Sequence, residues 1–178
     1  MSYLALKTDL TKQQKHYINR INDSANFLLG IINDILDISK IEAGKLTIDK
    51  GNFDLFKIIE NVVNLIEVKA YDKNIDLIVD YDLKLGKKYY GDSLRISQIF
   101  LNLLSNAVKF THEGEITIIV KEIDNNHIRF VVKDSGIDMS KSQLEKVFDA
   151  FTQADHSITK KYGGTGLGLT ITKNLVEL

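Results

Sequence analysis

The chain has 178 residues, 44% of them apolar and 26% charged, which suits a well-cored domain plus part of another. Twenty-three Lys and Arg stand against twenty-four Asp and Glu, and the net charge of −1 argues against a dedicated binder of nucleic acid or anionic membranes. With no cysteine there is no disulfide framework, thiolate metal site or Cys nucleophile, and His16, His112, His127 and His156 lack metal-ligand spacing.

Ser2–Lys7 reads as the tail of a helix. Leu10–Ala43 carries the longest periodic signal: Ile18, Ile21, Ala25, Leu28, Ile32, Ile35 and Ser39 alternate steps of three and four. Leu29, Ile31, Leu36 and Ile38 widen the stripe, which favours a bundle over a two-helix seam. Asp9 or Thr11 could cap its start and Gly44 its end. A helix of ~50 Å exceeds what one small domain needs, so a dimeric bundle is expected, with packing inside its own domain as the alternative.

Short extended pieces follow at Leu46–Ile48 and Asn52–Asp54, then a helix over Leu55–Tyr71 with Ile58, Ile59, Val62, Val63 and Ile66 as its stripe. Ile75–Tyr81 alternates as a strand, with Ile75, Leu77, Val79 and Tyr81 on one face. Ser93–Phe110 is a helix, and Glu115–Ile123 with His127–Lys133 form a hairpin across Asp124, Asn125 and Asn126. A short helix at Ser140–Phe148 precedes a polar stretch, and four glycines within Gly163–Gly168 lead into a last helix, Gly166–Leu178. The expected fold is α+β, a two-layer sandwich of a mixed sheet covered by helices on one face, preceded by the long bundle helix. No apolar run reaches the ~18 residues that span a bilayer, and Met1–Thr11 lacks a signal-peptide pattern. A cytoplasmic location follows as an expectation, the parent protein being free to carry an inner-membrane anchor elsewhere.

Three segments carry chemistry. In Asp92–Thr111, Asn102 and Asn106 lie one helical turn apart and Lys109 follows three residues on. Amide oxygens suit a hard cation such as Mg²⁺, and an ammonium suits phosphate; the same residues could equally form a solvated face. Asp134, Ser135 and Gly136 close the strand before them, either as a plain turn or as a carboxylate offered to an amine with glycine permitting close approach. Gly163, Gly164, Thr165, Gly166, Leu167 and Gly168 precede a helix, whose freed N–H groups and dipole favour phosphate. The loop is neither a Walker loop nor a Rossmann fingerprint.

The order of these segments, with Phe148, Asp149, Ala150 and Phe151 before the glycine loop, resembles the catalytic ATP-binding domain of sensor histidine kinases. Those kinases share a superfamily with gyrase B subunits, the 90-kDa heat-shock chaperones and mismatch-repair ATPases. Leu36–Gly44, reading LDISKIEAG, is similar to the end of the second dimerisation helix of hybrid kinases. The resemblance implies residues 1–44 as partial dimerisation and histidine-phosphotransfer helices, and 45–178 as an ATP-binding domain.

It also implies roles. Asn106 coordinates Mg²⁺ between the nucleotide phosphates, Asn102 lines the same site, and Lys109 contacts phosphate. Asp134 binds the exocyclic amine of adenine and Gly136 shapes that pocket. Phe148 and Phe151 anchor a mobile lid, Ala154–Tyr162, and Lys160 stands near the terminal phosphate. Gly164, Thr165, Gly166, Leu167 and Gly168 close over the nucleotide. Where the superfamily's ATPases place a Glu, Asn102 offers an amide that cannot act as general base. That disfavours ATP hydrolysis and favours γ-phosphoryl transfer to a histidine, with relay to an aspartate of a response-regulator receiver domain. Expected partners are a second copy through the bundle and that receiver, with ATP and Mg²⁺ as cofactors.

Three departures qualify the expectation. No His-Glu-x-x-Thr-Pro-like acceptor motif occurs, and His16, between Lys15 and Tyr17, reads as a surface residue. The acceptor helix is therefore expected to precede residue 1, so that a histidine is phosphorylated only in trans, and the domain's terminal strands to follow residue 178. Third, Asp138 stands where the family has a glycine of positive φ, beside the nucleotide. Asp tolerates that geometry, but its bulk and charge are expected to lower ATP affinity on the order of tenfold or more, unless the side chain points to solvent. With the missing parts, Asp138 leaves an impaired nucleotide-binding or dimerisation module as the alternative function.

Overall fold

The computed structural model describes residues 1–86, 88–124, 127–150 and 165–178. The chain forms two compact units, Met1–Leu46 and Thr47–Leu178.

The first unit holds α1 (Ser2–Ala5) and α2 (Lys12–Glu42). Thr11 caps α2 through a capping box: its Oγ1 accepts from Gln14 N at 3.2 Å, and Gln14 Oε1 accepts from Thr11 N at 2.9 Å. At the other end Gly44 takes φ +61°, while the amides of Gly44 and Lys45 donate to Ile41 O and Lys40 O. At 31 residues, α2 is about 46 Å long. Most of its apolar stripe is exposed within the unit, including Ile21, Phe27, Leu28, Leu29, Ile32, Ile35 and Leu36.

The second unit begins with β1 (Gly51–Asp54) and α3 (Leu55–Tyr71). Next come β2 (Ile75–Tyr81), β3 (Lys88–Gly91) and α4 (Ser93–Phe110). The unit continues with β4 (Gly114–Asp124), β5 (His127–Asp134), α5 (Lys141–Lys146) and α6 (Gly168–Glu177). Carboxylates start the two main helices. Asp54 accepts from Lys57 N, and Asp92 Oδ1 accepts from Leu94 N and Arg95 N at 3.1 and 3.0 Å. Ser140 caps α5 with Gln143 in a second capping box.

Among the described residues the strands form two sheets. In one, β1 and β3 pair antiparallel; in the other, β4 lies between parallel β2 and antiparallel β5. The main sheet is therefore mixed, with helices layered on one face, as the sequence indicates. Ile116, Ile118 and Val120 of β4 are fully buried beneath Ile58, Ile59, Val62 and Ile66 of α3 and Phe100, Leu104, Ala107 and Val108 of α4. Burying each such side chain contributes on the order of 2 kcal/mol before its entropy cost. Phe100 meets Phe130 of β5 edge-to-face with centroids 5.1 Å apart.

Two readings are corrected. Leu46–Ile48 forms no strand, whereas the unanticipated β3 completes the small sheet through pairs such as Phe53 with Tyr89. Val79, expected on the inner face with Ile75, is exposed on β2, which is an edge strand among the described residues. The hairpin residues Asn125 and Asn126 lie outside the described residues.

Candidate nucleotide site

The site assembles around α4, which buries Phe100, Leu104, Ala107 and Val108 and leaves Asn102, Asn106 and Lys109 half-buried on another face. In mid-helix, Asn102 Nδ2 donates to the carbonyl of Gly168 at 3.2 Å and lies 3.4 Å from Thr172 Oγ1. This amide fixes the first turn of α6 against α4. A Cβ on Gly168 would rest at 3.6 Å from the Asn102 amide, so the two elements meet at van der Waals contact.

At the C-terminal end of α4, the carbonyl of Phe110 accepts from Ile137 N at 3.3 Å. Gly136 fits beneath it: a Cβ there would stand 2.7 Å from Phe110 O and 2.8 Å from Asp134 Oδ1, closer than any side chain tolerates. Asp134 Oδ1 in turn accepts from Gly136 N at 3.0 Å, which fixes the carboxylate at the strand end. Ser135 sews the same loop to β4, its N donating to Glu115 O at 3.1 Å and its Oγ accepting from Glu115 N at 3.0 Å. The turn is thus a built loop, with an exposed carboxylate anchored beside a position that only glycine fills.

Lys109 lies between these regions on the last turn of α4. Burial lowers its ammonium pKa from the usual lysine value, and its Nζ sits 4.8 Å from the Phe110 ring centroid. A bound anion would relieve that desolvation.

At the head of α6, Gly166 has φ +71°, and Thr165 Oγ1 accepts from Leu167 N at 3.2 Å. The Leu167 side chain is buried, so this residue meets a ligand only through its backbone. Lys160, Gly164, Phe151 and Ala154–Tyr162 lie outside the described residues. Asp138 is exposed, and among the described residues Asn74 alone combines positive φ with a side chain. The left-handed backbone expected at Asp138 is therefore absent, and the chain bends at Gly136 instead.

Sequence reasoning identified Asn102 and Gly168, and Asp134 and Gly136, without indicating which contacts join them. It missed Phe110, whose contribution is a backbone carbonyl, and Thr172, one turn into α6.

Residues 1–44 match the family described as His Kinase A (phospho-acceptor) domain, and residues 91–178 the family described as Histidine kinase-, DNA gyrase B-, and HSP90-like ATPase. The chain belongs to the histidine kinase family. Hybrid signal transduction histidine kinase L of Dictyostelium discoideum is 46% identical over 182 residues, covering all of this chain and 11% of that protein. Full-length ShkA in complex with AMPPNP superposes with a TM-score of 0.80 at 30% identity, over 99% of this chain and 36% of that one. The catalytic domain of histidine kinase ThkA gives 0.61 at 30% identity, over 72% and 80%. ThkA in complex with response regulator protein TrrA gives 0.61 at 27% identity, over 86% and 45%. The histidine kinase resemblance and the fold read from the sequence thus stand, and the second unit carries an ATPase-type nucleotide-binding domain.

Proposed function

We propose that the chain is the ATP-binding core of a two-component kinase that transfers the γ-phosphoryl group of ATP to a histidine, for relay to a receiver-domain aspartate. Residues 1–44 act as dimerisation and phosphotransfer helices, pairing with a second copy through the exposed stripe of α2, and 45–178 act as the catalytic domain. The observation that carries this reading is the double attachment of α4. One polar helix holds the glycine-loop helix through Asn102 and the Asp134–Ile137 loop through Phe110 O. These two attachments support reading the Asp134–Ile137 loop as the one that meets the base and the start of α6 as the one that meets phosphate.

Asp134 accepts a hydrogen bond from the exocyclic amine of adenine, and Gly136 leaves room for the ring. The Asn106 amide oxygen is a hard donor suited to Mg²⁺. A bound Mg²⁺ would neutralise charge on the phosphates. Lys109 supports a phosphate from its desolvated position. Thr165, Gly166 and the backbone of Leu167 and Gly168 offer N–H groups at the start of α6, and Lys160 and Gly164 are assigned to the same phosphate region by their place in the motif. Asn102 donates its N–H to Gly168 and, as an amide, takes no proton from water, which leaves an added imidazole as the acceptor in place of hydroxide. Transfer breaks the β–γ bridging P–O bond, forms an N–P bond on that imidazole and releases its proton.

Calorimetry with Mg²⁺–ATP and with adenosine tests the site. Asn106→Ala should weaken Mg²⁺–ATP more than adenosine, and Asp134→Ala should weaken both. Equal losses on every ligand for both variants would overturn the assignment. A histidine-bearing helix added in trans should then gain acid-labile phosphate; tight ATP binding with no transfer would mark a nucleotide-binding module.

A further inference from the structure

Helix α4 ends without the usual glycine cap. Its C-cap, Thr111, is extended at φ −91° and ψ 131°, so the last carbonyls need donors from elsewhere. Lys73 supplies them. Its Nζ donates to Val108 O at 2.6 Å, Thr111 O at 3.1 Å and Lys109 O at 3.2 Å, matching the three N–H groups of an ammonium to three carbonyls at the negative end of the helix dipole. The remaining carbonyl of this turn, Phe110 O, is the one that takes Ile137 N.

The reach of Lys73 is built into the connection it sits on. Asp72 N, Lys73 N and Asn74 N donate to Val68 O, Ala70 O and Tyr71 O, and Asn74 turns the chain at φ +56°. The next residue, Ile75, pairs with Gly114 at the start of the parallel β2–β4 ladder. That register sets the α3–β2 turn beside the α4–β4 turn, so an ammonium from one reaches the carbonyls of the other.

From this geometry we propose that Lys73 is a positioning residue for nucleotide binding, which sets the final turn of α4 so that Lys109 meets phosphate and Phe110 O holds the Asp134–Ile137 loop. The proposal rests on the site assignment above. Lys73 touches no nucleotide itself and acts through backbone carbonyls. Removing its head group would leave three carbonyls without their donor and let the turn that carries Lys109 fray, a loss that a remote surface lysine would not produce.

The test uses Lys73→Met, Lys73→Arg and Lys109→Ala, with Mg²⁺–ATP and adenosine affinities measured well below each variant's melting temperature. Lys73→Met should weaken Mg²⁺–ATP about tenfold, the scale of a lost set of charge-assisted hydrogen bonds, and adenosine less, with Lys73→Arg recovering most of the difference. Placed on Lys109→Ala, the Met substitution should cost ATP affinity clearly less than on the wild-type chain, because its phosphate-side target is gone. A lower melting temperature with unchanged affinities would make Lys73 a plain helix cap and overturn the proposal. So would additive losses in the double variant. If Lys73→Met does not fold, Lys73→Arg carries the same readout, and its failing to retain most of the wild-type ATP affinity overturns the proposal. A wild-type chain that binds no Mg²⁺–ATP, or a Lys109→Ala variant that binds it as the wild type does, would instead overturn the site assignment on which the proposal depends.

Discussion

Helices α2 and α4 are both long and capped by a side-chain oxygen, and both carry apolar residues at helical spacing, yet they satisfy those residues differently. In α4 the apolar face lies on β4 and α3, with Phe100 2% and Leu104 1% exposed. In α2 the equivalent positions stay open within their unit, Leu28 at 57% and Ile21 at 62%. A 31-residue helix whose stripe is that exposed has its packing partner outside itself, because propensity alone does not hold an isolated helix together. The contrast separates a helix whose apolar face is buried in its own unit from one whose apolar face is open, as the proposed dimer requires.

Substitution should expose that difference most strongly in the core. Phe100→Ala removes a ring wedged against Phe130 and should cost about 3–5 kcal/mol in chemical denaturation of the second unit. Leu28→Ala should cost that unit nothing and act only through self-association. Leu28→Lys with Ile32→Lys would place unpaired charges in the shared bundle, where each costs several kcal/mol. Sedimentation should then show dimers of the wild-type chain giving way to monomers. Monomers in both proteins would break the comparison and return the α2 stripe to a role within one chain.

A smaller effect concerns the polar side of α4, where function and stability pull apart. Burial lowers the Lys109 pKa, so the folded state holds this proton less tightly than the unfolded chain. The sign follows from that: stability rises as pH climbs from the lowered folded pKa toward the ordinary lysine value, and below that window the desolvated charge is a standing cost. Lys109→Met should therefore raise the melting temperature of the ligand-free chain by about a degree or two at neutral pH, while weakening Mg²⁺–ATP. A lower melting temperature would mean that contacts of the ammonium outweigh its desolvation.

The legibility of the two helices differs for physical reasons as well. Ser93–Phe110 and Leu55–Tyr71 were readable to the residue because apolar period, a carboxylate cap and a breaker coincide in sequence. The strand Lys88–Gly91 was not, since its four residues show no alternation and its partner, Gly51–Asp54, lies far back in the chain. The motif residues proposed for the site, Asn102, Asn106, Lys109, Asp134, Gly136 and Gly168, could be named from the sequence because each is a side chain or a glycine at a telling spacing. What holds them is carried by backbone carbonyls of Phe110, Val108 and Thr111 and by Lys73, and no side-chain pattern announces a carbonyl. At Asp138 the expectation of a left-handed backbone, which came from resemblance without local support, is not met.

Asp138 sets the finest test of the polar face of α4, and the structure shrinks its expected effect. The tenfold loss of ATP affinity expected from the sequence combined side-chain bulk and charge, at a position expected to be left-handed. Positive φ drops out at Asp138, and its exposed side chain puts the carboxylate in water, while bulk beside a bound nucleotide is left to a salt series. Charge remains, acting through water. Two unit charges ~8 Å apart at the dielectric of water repel by about 0.5 kcal/mol, and salt near physiological strength screens most of that. Asp138→Gly should therefore raise Mg²⁺–ATP affinity about twofold at low ionic strength, leave adenosine unchanged and have no measurable effect in high salt. The salt series is the discriminating measurement, because steric obstruction is indifferent to ionic strength. A tenfold gain that persists in high salt, or an equal gain for adenosine, would show the carboxylate standing inside the pocket and would reinstate it as the residue that impairs the site.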